Sequence, residues 1–460
     1  MNLNQIESFY FLGIGGIGMS SLALYFHYMG KKVSGYDRSR TMITKKLENE
    51  GVLINYHDKT EFLPEWIHST RCLIVYTPAI PDNHKQWRFL KKYGKNIKKR
   101  SQVLALITEN KICIAIGGTH GKTTTGIFLG HILHSTGKKV TAFLGGISEN
   151  YQSNLILNHG TEIFLVEADE FDHSFLHLSP NIACITCLDQ DHVDTYPKKE
   201  ALIQAYIDFS KKIKSPYKKL FLSRKKKGES FLSKNAIYFS VEKEENYYSN
   251  HLLIKENQWF FDFHTPKETW KSLPLPIPGL HNLKNVTAAL AISDYLKIKE
   301  KDIRKSLFLF KGIKRRYSIH YKSIKKIYID DYAHHPTEIN ALISTIRTCF
   351  PDKKILGIFQ PHLFSRTKFF EEDFAKSLEK LDLLILLNIY PAREFPIKGV
   401  SSNSLLDKIK MNSKNKELVP LSKVLEKIKK KNFDILLTIG AGNIDTLILP
   451  IKKWLYKRYG

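Results

Sequence analysis

Ile112-Cys113-Ile114-Ala115-Ile116-Gly117-Gly118-Thr119-His120-Gly121-Lys122-Thr123-Thr124-Thr125 joins an apolar run to a glycine-punctuated turn and then to a helical pattern reaching about residue 136. A buried strand, a tight turn and a helix N-terminus together make a cradle for phosphate. Free backbone N–H groups point at the anion, and the helix dipole favours negative charge there. The turn is one residue shorter than the general G-x-x-x-x-G-K-[ST] pattern, since position 116 is Ile. Its mechanics survive that change. Lys122 supplies a point charge for β/γ-phosphate oxygens, and the Thr123 hydroxyl suits Mg²⁺. The alternative is a glycine-rich turn with no ligand.

Outward from this point the chain repeats one rhythm: short apolar run, glycine-containing turn, helical pattern. Such alternation predicts α/β architecture with parallel sheets and crossover helices. The chain has 460 residues, which suggests about three domains at roughly 150 residues each. Three blocks follow: 1–107, 108–312 and 313–460. The first opens with the strand-like FYFLG and the helical MSSLALYFHYMG. It continues through KKVSGYD, RCLIVYTPAI and a polar helix near 84–93, with VLALIT (103–108) as a connector. The second adds strands at 161–169 and 181–189. Its stretch 211–270 reads as an antiparallel insertion, because its aromatics alternate with polar residues. LPLPIPGLHN (273–282) reads as a rigid turn before a helix. The third holds the strands KIYIDDY, KILGIFQ, DLLILLNIY and DILLTIGAG.

Composition narrows the function classes. Hydrophobic residues are 43% and charged residues 25%, ordinary globular values that exclude disorder, collagen and a disulfide-dense mini-scaffold. Lys+Arg is 71 against 45 Asp+Glu, a formal charge of +26. The excess is mostly Lys doublets scattered along the chain, which reads as solvated surface rather than a nucleic-acid face. Five cysteines lie mostly in apolar runs and fit free thiols in a reducing compartment. No apolar run reaches 18 residues, so the expectation is a cytoplasmic protein with no membrane and no nucleic-acid partner.

Other motifs cluster at strand ends. Gly13-Ile14-Gly15-Gly16-Ile17-Gly18 fits G-x-G-x-x-G between a strand and a helix, and Asp37 closes the next strand. Alone it fits a dehydrogenase, or a tight turn without ligand; it indicates a bound pyrophosphate rather than a chemistry. Glu167-Ala168-Asp169-Glu170 ends a strongly apolar strand, where Glu167 is a candidate Mg²⁺ ligand; an exposed acidic loop is the alternative. His192, in Asp191-His192-Val193-Asp194, is a candidate second-metal ligand or phosphate contact, or a structural histidine. Cys184 and Cys187 read as packed thiols on opposite faces of one strand. Asn282 and Asn285, at i, i+3, can face one base edge, or one of them can cap a helix. Arg315-Arg316, Asp330-Asp331, His334-His335, His362 and Arg366 form a polar, anion-capable rim in the third block.

Taken in order, GIGGIGMS, GTHGKTTT, EADEFDHSFL, DHVDTY, HNLKN, KRRY, DDYAHHPTE, FQPH, NIYPAREFP and GAGN closely resemble the Mur ligase family over nearly the whole chain. GGIGMS and DDYAHHPTE look most like the member that adds L-alanine. The resemblance implies a Rossmann-like N-terminal domain binding a UDP-sugar and a central P-loop ATPase-like domain with an antiparallel insertion. It also implies a C-terminal Rossmann-like domain that closes over the nucleotide and brings the amino acid. By position, Gly13, Gly15, Gly16, Gly18 and Asp37 would hold the UDP-sugar. Gly118, Thr119, His120, Gly121, Lys122, Thr123, Thr124, Asn282, Asn285, Arg316 and Asp331 would bind ATP. Thr123, Glu167 and His192 would bind Mg²⁺, and Lys122, Glu167, His192 and Arg316 would serve catalysis. His335, His362 and Arg366 would form the amino-acid pocket. The implied substrates are ATP, UDP-N-acetylmuramate and L-alanine, joined through an acyl phosphate by a monomer or homodimer. Two positions depart from the pattern: Leu363, where some relatives carry a basic residue, and Cys187, where relatives often have Asn.

Overall fold

A computed structural model of the chain describes residues 2–94, 96–191, 195–196, 198–224, 236–256, 258–392 and 394–460. Three sheets follow one another along the sequence, as the α/β reading expects. The first contains β1 (Ser8–Leu12), β2 (Lys32–Tyr36), β3 (Leu53–Asn55), β4 (Cys72–Tyr76) and β5 (Ile97–Lys99). Its order is β3-β2-β1-β4-β5, and every pairing is parallel.

The second sheet has ten strands among the described residues. They are β6 (Ile112–Gly117), β7 (Val140–Ser148), β8 (Ser153–Ile156), β9 (Ile163–Glu167), β10 (Ile182–Ile185), β11 (Lys219–Ser223), β12 (Ile237–Val241), β13 (Tyr247–Lys255), β14 (Gln258–His264) and β15 (Thr269–Leu275). The order is β15-β14-β13-β12-β11-β10-β6-β9-β7-β8. Period-2 alternation puts Ile114, Ile116, Leu165 and Cys184 in one core, and Cys113, Ala115, Val166 and Ile185 in the other. The second core also takes in Phe9, Phe11 and Leu22, so the first two units share one apolar cluster.

The third sheet contains β16 (Ser318–Lys322), β17 (Ile327–Asp331), β18 (Ile355–Phe359), β19 (Leu383–Leu386), β20 (Lys416–Leu418) and β21 (Ile435–Ile439). The order is β16-β17-β21-β18-β19-β20, with separate apolar clusters on its two faces. No helix among the described residues is long and apolar enough to cross a membrane.

Four local expectations need correction. VLALIT is no connector: Arg100–Thr108 is a helix that buries Val103 and Leu104, begun by Gln102 accepting from the Lys99 N–H at 2.9 Å. The stretch 211–270 is no separate antiparallel insertion. β11 pairs in parallel with β10, β12 with β11 and β13 with β12; within this stretch only the β13–β14 and β14–β15 pairings are antiparallel. Phe221 and Phe239 are wholly buried in the core that holds Ile114, so their aromatic rings extend the main sheet. LPLPIPGLHN is not one turn: its first three residues end β15 at Leu275, and its last three begin the helix at Leu280. Cys187 lies beyond the end of β10, so the two thiols do not share a strand.

Candidate active site

Strand register brings the phosphate loop and the acidic motif together. Ile116 of β6 pairs with Glu167 of β9, and Gly117 pairs with Ile185 of β10. Ligand chemistry in such sheets collects at the carboxyl ends of the strands, where these three meet. The loop is built so that only glycine fits. Gly118 has φ +115°, and a Cβ there would lie 2.3 Å from Thr186 Oγ1 and 2.8 Å from the Cys187 backbone N. Gly121 has φ +86° and precedes the helix Lys122–Ser135; a Cβ there would lie 2.3 Å from Asn285 Oδ1. Thr119 Oγ1 donates to Asp189 O at 2.7 Å, and the His120 N–H donates to Cys187 Sγ at 3.1 Å. Cys187 is therefore a support of the loop rather than only a packed thiol. Thr124 is buried in the first turn of that helix.

Lys122 Nζ donates to Gly118 O at 2.7 Å and to both oxygens of Glu170, at 2.9 and 2.8 Å. Burial works against the ammonium, but the carboxylates of Glu170, Asp169 and Glu167 together hold it above the ordinary lysine range. Glu170 also accepts from Tyr206 Oη at 3.2 Å, and that oxygen in turn accepts the Gly118 N–H at 2.7 Å. Glu167 is next to the loop: Thr123 Oγ1 donates to its Oε2 at 3.0 Å, and the Gly145 N–H to its Oε1 at 2.5 Å. Burial pushes the Glu167 carboxyl upward, against the Gly145 hydrogen bond and the Lys122 charge.

Glu167 and Thr123 offer hard oxygens, as Mg²⁺ requires. Among the described residues no group of three or more His, Cys, Asp or Glu gathers into a cage. That sparse donor set fits a cation that keeps several waters and takes phosphate oxygens. His192, Val193 and Asp194 lie outside the described residues, as does Arg393.

The third unit meets the loop through a charged rim. Glu338 lies 3.4 Å from His120 Nδ1, 3.4 Å from His334 Nδ1 and 4.0 Å from Arg316 Nη1. Despite burial, these three neighbours hold the Glu338 carboxyl well below the usual range. Burial lowers the His120 imidazole, but Glu338, Asp191 and Asp189 together raise it by more, for a net rise. The His335 ring lies tilted at 48° to that of His120 with centroids 4.6 Å apart, and burial plus that neighbour push it down to about 4. The Nε2 atoms of His120 and His335 are both buried without a hydrogen-bond partner, which marks a polar place that a ligand would satisfy. Arg366 pairs with Asp191 at 3.1 Å, and its Nη1 lies 3.4 Å from His362 Nδ1.

Three expected contacts look different in place. Asp331 accepts from the Tyr317 N–H at 2.7 Å and the Ala333 N–H at 2.8 Å, so both its oxygens hold turns. Burial raises its pKa to about 6. Asn282 spends its amide on Pro278 O at 2.8 Å, while Asn285 abuts Gly121, so the two do not present one shared edge. Asp37 Oδ2 accepts the Gly15 N–H at 2.8 Å and closes the first glycine turn from within. In that turn Gly13 has φ +85°, Gly16 precedes the helix Ile17–Tyr28, and Gly18 lies under the Arg100 guanidinium.

Sequence reasoning gave no role to Arg100, Glu170, Tyr206 or Gly145. Arg100 reaches across to Asp169 at 3.7 Å, and Lys99 Nζ donates to Asp172 at 2.9 Å, so the first glycine turn and the acidic motif are ionically joined. Glu170, inside the quoted EADE, was visible as an acid three residues from Glu167. Tyr206 and Gly145 carried no local signal.

Residues 116–293 match the family described as the Mur ligase middle domain, 8–112 the Mur ligase family catalytic domain, and 315–442 the Mur ligase glutamate ligase domain. The chain is 45% identical over 453 residues to a UDP-N-acetylmuramate–L-alanine ligase of Flavobacterium psychrophilum, covering 98% of this chain and 99% of that protein. It is 47% identical over 454 residues to the protein of that name from Christiangramia forsetii, covering 98% of each. A UDP-N-acetylmuramate-alanine ligase of Thermotoga maritima superposes with TM-score 0.83 at 26% identity, covering 98% of this chain and 100% of that one. With three consecutive matches and full-length relatives of this similarity, the chain belongs to the Mur ligase family.

Proposed function

We propose that this protein is an ATP-dependent ligase that joins L-alanine to the lactyl carboxylate of UDP-N-acetylmuramate, a step in peptidoglycan precursor synthesis. The observation that carries the reading is the meeting of a built phosphate loop on one unit with an Arg/His rim on the next, His120 lying 3.4 Å from Glu338. The full-length relatives of that name support the substrate choice. We divide the chain at 107/108 and 312/313, with the UDP-sugar on the glycine turn Gly13–Gly18, ATP on the central loop and the amino acid at His335, His362 and Arg366.

A carboxylate is a poor electrophile. Its oxygen attacks the γ-phosphate in line, giving an acyl phosphate and ADP. The alanine amine, in its neutral form, then attacks the acyl carbon; the acyl C–O bond breaks, and the proton lost from nitrogen leaves with the phosphate as hydrogen phosphate. Lys122 offsets charge on the transferring phosphoryl group from the central loop, and Arg316 does so from the third unit. Gly118 and Gly121 let backbone N–H groups approach the phosphates. Thr123 and Glu167, with His192 for a second ion, would hold Mg²⁺, which when bound supplies charge neutralisation at phosphate oxygens. Asp331 and Asn285 act as supports: the first fixes the turn that carries Arg316, and the second fills the space beside Gly121. The nucleotide and the amino acid meet parts from different units, so docking of the third unit completes the site and excludes water.

The test is ATP-dependent phosphate release by the full chain with Mg²⁺, with and without UDP-N-acetylmuramate, and with L-alanine, glycine, L-serine or D-glutamate in turn. Release that needs both the UDP-sugar and L-alanine is expected, with weaker use of glycine and L-serine, since a methyl-sized difference is worth about 1–3 kcal/mol. Release with D-glutamate but not L-alanine, or none with any pair, would overturn the reading.

A further inference from the structure

Arg366 and Asp191 lie 175 residues apart, one in the helix Phe364–Phe369 of the third unit, the other in the segment after β10 of the central unit. Their side chains are 8% and 7% exposed. Arg366 Nε donates to Asp191 Oδ1 at 3.3 Å, and Nη2 donates to Oδ1 at 3.1 Å and Oδ2 at 3.2 Å. A guanidinium has two flat edges that match a carboxylate. Asp191 takes the Nε/Nη2 edge, which leaves the Nη1/Nη2 edge turned toward His362, whose Nδ1 is 3.4 Å from Nη1. The His362 ring is stacked on Tyr390 at 5.7 Å, so that side of the pocket is also fixed.

We propose that Asp191 is a positioning residue for the amino-acid substrate: from the central unit it clamps one edge of Arg366 so that the other edge meets the substrate carboxylate. This rests on the reading of Arg366 as part of the amino-acid pocket. The consequence is that the pocket is not a property of the third unit alone. Undocking that unit frees the guanidinium to rotate, so amino-acid affinity is tied to closure over the nucleotide. A long, flexible side chain gains most from such pre-organisation.

Steady-state kinetics of the full chain test it, with KM measured separately for L-alanine, ATP and UDP-N-acetylmuramate, and with thermal unfolding as a check on folding. Arg366→Lys comes first. A raised amino-acid KM supports the underlying reading, and an unchanged one defeats that reading together with the inference. With Arg366→Lys raised, Asp191→Asn is expected to raise the amino-acid KM about tenfold or more, leaving the other two within about twofold. Asp191→Glu, which keeps the charge and shifts the clamp by one methylene, is expected to give a smaller rise in the same KM alone. It carries the test by itself if Asp191→Asn does not fold. An equal rise in all three KM values would make the pair merely structural. A fall in the amino-acid KM would make Asp191 a competitor for Arg366. An unchanged amino-acid KM would leave the clamp without effect. Each of these three results overturns the inference while leaving Arg366 in the pocket.

Discussion

At the scale of single residues, Lys122 and Glu170 decide what a simple active-site variant will report. Glu170 is wholly buried and Lys122 is 14% exposed, with both carboxylate oxygens on the ammonium. Removing the lysine takes the counter-charge from a carboxylate that is shielded from solvent, which costs about 3–5 kcal/mol. Lys122→Ala is therefore expected to lose both turnover and stability, while Lys122→Ala with Glu170→Gln regains most of the stability and none of the turnover. Thermal unfolding beside ATP-dependent phosphate release checks this. A double variant as unstable as the single one would show that the pair does not hold the loop. The lysine itself was legible from GKTTT, because the loop's chemistry is local in sequence. Its partner choice was not. EADE offers three acids, and only the path of the chain after β9 brings Glu170 rather than Glu167 onto Nζ. Asp331 and Asp37 teach the same lesson. Their positions at strand ends were readable, but their oxygens turn inward to backbone N–H groups, a detail that pattern does not encode.

At the scale of elements, the hairpin β7–β8 explains why Glu167 stands where it does. Parallel β7 lies beside β9, with Phe143 opposite Val166, and Gly145 and Gly146 continue past that pairing. A Cβ on Gly145 would lie 2.3 Å from Glu167 Oε2, and one on Gly146 would lie 2.8 Å from Thr123 Cγ2. The two glycines thus let a strand edge press against the hydroxyl–carboxylate pair. Gly145→Ala is expected to push the carboxylate aside and lower kcat by about 100-fold, the scale set by a displacement near 1 Å. Its effect on stability should stay within about 1–3 kcal/mol. Raising the Mg²⁺ concentration needed for half-maximal rate would be the accompanying sign, and normal kinetics in a folded variant would refute the role. The hairpin escaped the sequence reading because VTAFLGGIS and SNLI lack a helix between them and carry no charged or titratable residue. Likewise aromatic alternation suggests antiparallel pairing for the strands between 219 and 255, where the pairing is parallel. Pairing direction depends on the crossovers between strands, which alternation does not report.

At the scale of the whole molecule, the first two units share an apolar core. The third has two cores of its own, touches the central core through Ile313, Tyr317 and Cys349, and meets the loop largely through ionisable side chains. That contrast makes the last interface the pH-sensitive one. His335 is buried and held down to about 4 by burial and by the His120 charge, with Asp191, Glu338 and Arg366 also facing it. An unfolded histidine titrates near 6.5. The folded protein therefore binds this proton more weakly than the unfolded chain does. The stability that the neutral ring contributes is complete above about pH 6.5 and is lost as pH falls toward 4, amounting to about 2 kcal/mol by pH 5. Glu338 adds to the loss at lower pH, because its depressed carboxyl stabilises the fold above the ordinary glutamate range and ceases to as pH falls. His120 has the opposite sign: its raised pKa gives stability below about 6.5 that is lost as pH rises through the folded value. His335 also begins the helix Pro336–Cys349, accepting the Thr337 N–H at 3.3 Å, so the replacement must keep a cap. Asn does so without titrating. Urea unfolding at pH 7, 6 and 5 should show the parent losing about 2 kcal/mol more than His335→Asn across that window. Equal losses in the two proteins would mean that the acid sensitivity lies elsewhere, because the only group exchanged between them is the imidazole.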